Sequence, residues 1–115
     1  MKYRIEISSI AEADADKAFL QLSQVLSLEQ AKQWYSGLLQ AIQSLTQMPK
    51  RCALARENEY FSQEIRQLIY GKGRNQYRIL YTVLEETLEP TVRILHIRHS
   101  RQRAFGESSE EAGPL

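Results

Sequence analysis

Arg66, Lys72, Arg74, Arg78, Arg98, Arg101 and Arg103 crowd into the second half of this chain, and His99 sits among the last of them. Guanidinium and ammonium groups hold phosphates and carboxylates. An imidazole titrates near neutral pH and can pass a proton to a leaving group. The chemistry open to such a set is the binding of an anionic partner. No ligand set has metal spacing, so neither a metal nor a cofactor is expected. Cys52 is the single cysteine. It cannot form an internal disulfide, and without a neighbouring histidine it reads as a bystander thiol. Gly71-Lys72-Gly73 lacks the length, the Lys-Ser/Thr ending and the following helix of a phosphate-binding P-loop.

Net charge is +1, but it is unevenly spread. Residues 1–49 hold 4 Lys/Arg and 5 Asp/Glu, residues 50–105 hold 11 and 6, and residues 106–115 hold three Glu and no base. A basic body with a short acidic tail points to an anionic partner, either nucleic acid or an acidic protein segment. The 115 residues suffice for one domain, expected over 1–105, with 106–115 a disordered acidic tail. No apolar run approaches the ~20 residues of a membrane helix, and the N-terminus lacks a signal-peptide core. No membrane association and a cytoplasmic location are therefore expected.

The elements that must position these cations follow from periodicity. Residues 2–8 alternate, with Tyr3, Ile5 and Ile7 on one side, as in a half-buried strand. Ser9 with Glu12 fits a capping box and opens a helix to about Leu26, with Ala15, Ala18, Phe19, Leu22, Val25 and Leu26 as its apolar stripe. Ser27 with Gln30 repeats the signature. The second helix places Leu28, Ala31, Trp34, Tyr35, Leu38, Leu39, Ile42 and Leu45 on one stripe, and both aromatics read as core. Pro49 forbids its continuation. So short a connection at Leu26–Leu28 makes an antiparallel helical hairpin. Residues 49–63 show no period. Three strands follow, Ile65–Tyr70, Gln76–Leu84 and Thr91–Ile97, separated by the turns Gly71–Asn75 and Glu85–Pro90. The middle strand is apolar on both faces and should be central.

The expected fold class is α+β: an N-terminal strand, a helical hairpin, then a three-stranded antiparallel meander, with the helices on one sheet face. The other face should be free. Arg78, alternating with Tyr77 and Ile79, should project there or else pair with a strand neighbour such as Glu64. His96 reads as a packed or edge histidine.

The blocks Tyr77-Arg78-Ile79-Leu80-Tyr81 and Val92-Arg93-Ile94-Leu95-His96-Ile97-Arg98-His99, with Tyr70-Gly71 and the order of elements, resemble the RelE/ParE toxin superfamily. The resemblance spans residues 2 to about 105. It implies the toxin of a bacterial type II toxin–antitoxin pair, partnered by a cognate antitoxin in a hetero-oligomer, or as a homodimer. RelE-like members cut messenger RNA on the ribosome; ParE-like members poison DNA gyrase and are not enzymes. The RelE-like reading implies metal-independent cleavage, in which a ribose 2′-hydroxyl attacks the adjacent phosphate with a proton acceptor, a proton donor and cations around the phosphorus, and would put Arg78, His99 and Arg101 at that phosphate. In either reading Arg66, Lys72, Arg74, Arg98 and Arg103 would form a binding surface. Where RelE-like members carry a tyrosine near the C-terminus, the nearest aromatic here is Phe105, which has no hydroxyl to transfer a proton. That departure, the long helices and the Leu95–His99 ending favour the ParE-like branch. A non-enzymatic binding module, or a decayed toxin, is the third reading.

Overall fold

The structure is a computed structural model that describes residues 2–101. The tail 106–115, Arg103 and Phe105 lie outside the described residues. Strand β1 (Arg4–Ile7) leads into helix α1 (Ser9–Val25), helix α2 (Leu28–Gln43), and strands β2 (Arg66–Tyr70), β3 (Tyr77–Leu84) and β4 (Thr91–His99). The sheet order is β1-β4-β3-β2. β2, β3 and β4 are the expected antiparallel meander, and β1 joins it parallel to β4, pairing Arg4 with Thr91 through Ile7 with Ile94. No described helix is long and apolar enough to cross a membrane.

Local chemistry explains the helices. The cap of α1 is Ser8 rather than Ser9: its hydroxyl accepts the Ala11 N–H at 3.0 Å and donates to the Leu95 carbonyl at 3.1 Å. The cap therefore also ties the helix start to β4. At α2 the reciprocal Ser27–Gln30 box forms as expected. The helix and the 3-10 turn after it end by Thr46, ahead of Pro49, in keeping with the bias of a pre-proline residue against the right-handed α region; Met48 itself takes a left-handed φ of 49°. Val25 lies at the frayed end of its stripe and is exposed.

The helix-facing side of the sheet carries the main core. Ala11, Ala15 and Ala18 of α1, and Leu38 and Ile42 of α2, pack on Tyr77, Ile79 and Tyr81 of β3 and on Val92, Ile94 and Ile97 of β4. Ile94 and Ile97 are three apart yet share that side. A bulge lets the register slip between the Leu80–His96 and Tyr81–Ile94 pairs, and the extra residue restores the inward direction. Trp34 and Tyr35 pack against this core as expected.

The outer side is not free. Residues 52–65 cross it as a strap, held by an isolated bridge between Leu54 and Arg66 and by the Ala55 N–H to the Ile65 carbonyl at 2.7 Å. Ala55, Ile65 and Leu80 form a second small core there, with Leu95 against it. The absence of a period in this segment reflects its mode of order: it is held by hydrogen bonds to other elements. The central strand is thus covered on both faces, as its sequence predicts, but the second cover is the strap.

Candidate functional site at the end of the sheet

Alternation along β3 sends Arg78 to the outer side, where its exposure is only 4%. Its Nη1 donates to Glu57 Oε1 at 2.8 Å and to Gln67 Oε1 at 3.0 Å, and its Nη2 donates to Glu57 Oε2 at 2.5 Å. Glu57 is fully buried. Burial pushes its carboxyl up, but the hydrogen bonds and charge of Arg78 outweigh this and hold it below the usual carboxylate range. This corrects two expectations. Arg78 is not an open cation on a bare sheet face, because the strap covers it. Its partner is Glu57 and not Glu64, which binds Arg66 at 3.3 Å instead. Arg98 lies opposite Arg78 in the ladder, on the same covered side, and is also buried at 6%. Arg66 is half-buried and donates to the Cys52 carbonyl at 2.7 Å, so it clamps the strap.

His99 faces the other way. It pairs with Tyr77 across the ladder, and their rings meet edge-to-face at 5.1 Å and 80°. Its Nδ1 accepts the Arg101 N–H at 3.1 Å. Arg78 and His99 thus point to opposite faces of the sheet, while Arg101 lies exposed beyond it. These three residues are not brought to one phosphate-sized point.

A different group does gather at this end. Lys72 and Arg74 sit exposed in the turn between β2 and β3, where Gly71 and Gly73 adopt φ of 104° and 59°. The exit of β4 is tied to the end of that turn, since the Ser100 N–H and hydroxyl both donate to the Gln76 carbonyl, at 2.9 and 2.7 Å. Beside it, Asp14, Lys17, Ala18, Gln21, Tyr77, Ile97, Arg98 and His99 line a cleft of about 320 Å³. Asp14 builds one wall by accepting the Ile97 N–H at 2.9 Å, with His96 Nδ1 at 3.5 Å from the same carboxylate. Among the described residues no group of three or more His, Cys, Asp and Glu side chains could hold a metal ion.

Two residues that organise this region are not evident in the sequence. Glu57 lies in the aperiodic run Arg56–Tyr60, and nothing there marks one acid as buried. Asp14 looks like a solvated helix residue; only the course of β4 past α1 gives it a backbone amide to accept.

Comparison with known proteins adds the family. The model of the ParE toxin of the type II toxin–antitoxin system, parDE, matches residues 5–104. The chain belongs to the ParE toxin family. A solved chain of the chromosomal ParDE TA system from P. aeruginosa has the same fold: the TM-score is 0.66 at 16% identity, over 85% of this chain and 96% of that one. No curated protein sequence matches the chain. For this ParE-family toxin an antitoxin partner follows from the family. The α+β fold expected from the sequence, an N-terminal strand and helical hairpin before an antiparallel meander, is the fold observed.

Proposed function

We propose that residues 1–105 form a toxin domain that arrests growth in the cytoplasm by binding a macromolecular target, DNA gyrase in the first instance, and that does so without cutting RNA. The observation supporting this reading is the buried Arg78–Glu57 pair. A guanidinium already neutralised by a bidentate carboxylate under a covering strap is unavailable to a scissile phosphate, and His99 lies on the other side of the sheet. The contacts with the target, or with an acidic antitoxin segment, are assigned to the exposed cations Lys72, Arg74 and Arg101 at the β4 exit, with Arg103 following them in sequence. Binding there is electrostatic and weakens with salt.

The test is a supercoiling assay with purified gyrase, alongside transcript mapping after induction without antitoxin. Inhibited supercoiling with intact transcripts supports the proposal. Cut transcripts would establish the RelE-like alternative, and harmless overexpression with undisturbed supercoiling would leave a binding module.

A further inference from the structure

The chain has 6 tyrosines. Tyr3 donates to Glu85, Tyr35 to Asp16, Tyr70 to the Trp34 carbonyl and Tyr81 to the Pro49 carbonyl, while Tyr60 stands at the surface. Tyr77 differs from all of these. It is buried, at 7% exposure, and its ring is held edge-on by Trp34 at 5.2 Å and by His99 at 5.1 Å. Yet its hydroxyl makes no hydrogen bond among the described residues. Burial pushes its pKa up, so at neutral pH it remains a protonated donor. A polar group held this deep ordinarily has a partner. The Tyr77 oxygen is not among the described side-chain atoms sealed from solvent. It therefore meets water, and the opening that Tyr77 lines is the cleft of about 320 Å³ beside the β4 exit.

What shares the cleft with that hydroxyl defines its ligand. Lys17 and Gln21 are one helical turn apart on α1 and line the same opening, over a floor of Ala18 and Ile97. The site thus pairs a neutral and a cationic donor above a small apolar base. Two donors match the two oxygens of one carboxylate. The Asp14 carboxylate, fixed in the wall by the Ile97 N–H, disfavours the double charge of a phosphate monoester. The volume is at the small end of ligand pockets, ~300–1,000 Å³, which suits an inserted side chain. We infer that this cleft is the receptor for one acidic side chain of a protein partner, its methylenes on Ala18 and Ile97 and its carboxylate between Tyr77 Oη and Lys17 Nζ. An anchor side chain filling a desolvated pocket is the usual core of a protein interface. Which protein brings the acid rests on the proposed use of this end as a partner surface; the carboxylate site itself does not.

The test titrates three probes into the full chain at low salt and follows its amide resonances. The probes are a blocked alanine peptide with one central glutamate, the same peptide with glutamine there, and inorganic phosphate. The glutamate peptide should give saturable shifts at residues 17–21, 77 and 97, and bind about tenfold more tightly than the glutamine peptide, the size of one hydrogen bond to a charged group. Tyr77→Phe deletes only the hydroxyl and keeps the ring contacts. It should unfold at the parental urea midpoint, because no bond within the fold is lost, and bind the glutamate peptide about tenfold more weakly. Lys17→Met should weaken that binding about two- to fivefold, as an exposed ion pair does. Absence of saturable shifts, equal binding of the two peptides, or undiminished binding by Tyr77→Phe would each overturn the inference. So would a lowered urea midpoint in Tyr77→Phe, which would reveal a structural partner for the hydroxyl. Phosphate bound as tightly as the glutamate peptide would overturn the assignment to a carboxylate and point to a nucleic-acid backbone. None of these readouts involves gyrase or growth, so failure here is distinct from failure of the functional proposal.

Discussion

Arg78 and Arg98 stand opposite one another across the β3–β4 ladder, both buried. Like charges so placed repel, and a guanidinium out of water needs a partner. Glu57 supplies one, and this gives the pair a clear thermodynamic signature. Removing one member of a buried pair leaves an uncompensated charge, so Glu57→Ala is expected to cost about 3–5 kcal/mol in urea unfolding at pH 7. The acid dependence follows from the sign of the shift. The folded carboxyl titrates below its ordinary value of 4.5. Its contribution is therefore fully present above that value and is lost as pH falls through the lower, folded one. In Glu57→Gln the stability profile between pH 5 and 3 should be flatter than in the parent. An unchanged acid limb would mean that other carboxylates carry the acid sensitivity.

At the scale of elements, contact between α2 and β2 depends on one missing side chain. A Cβ at Gly37 would stand 2.2 Å from the Tyr70 hydroxyl, and that hydroxyl donates to the Trp34 carbonyl at 2.7 Å. Alanine ordinarily stabilises a helix interior by about 0.5–1 kcal/mol over glycine. Here Gly37→Ala is expected to destabilise by about 1–2 kcal/mol, because Tyr70 must leave its bond and its ring contact with Trp34, now at 6.0 Å. The penalty should shrink in a Tyr70→Phe background, which thermal unfolding of the four combinations would read as a coupling. What was legible in the sequence at this scale had a repeating signal. Helices and strands announced themselves by period, and Ser27–Gln30 by its spacing. The strap did not, since its order comes from bonds such as the Asn58 side chain accepting the Ile65 N–H at 2.8 Å. The choice between Ser8 and Ser9 as cap was also hidden, because it is made by the Leu95 carbonyl, far away in sequence. The site was legible only as charge. Alternation correctly sent Arg78 to the side away from the helices, but whether that side met solvent depended on a segment without pattern.

Over the whole molecule, some of the described cations are matched within the fold and a group of unmatched ones stands at the β4 exit. Arg66, Arg78, Arg93 and Lys50 are matched locally, whereas Lys72, Arg74 and Arg101 project at the β4 exit without an ion pair among the described residues. Buried ion pairs can be replaced by apolar residues of similar volume at little or no cost when both partners go together, so the two classes are separable by experiment. Glu57→Leu with Arg78→Met should keep the fold and, on the proposed reading, full growth arrest. Lys72→Glu with Arg74→Glu and Arg101→Glu touches no buried group and should leave unfolding within about 1 kcal/mol of the parent. It should nonetheless weaken the toxic effect strongly, and whatever binding remains should no longer weaken as salt is raised, since the attractive charges are gone. Growth curves after induction, with circular dichroism and urea unfolding of both purified variants, decide the matter. If the apolar pair abolishes arrest in a protein of parental stability while the charge reversal leaves arrest intact, the functional surface lies under the strap and the β4 exit is only solvated charge.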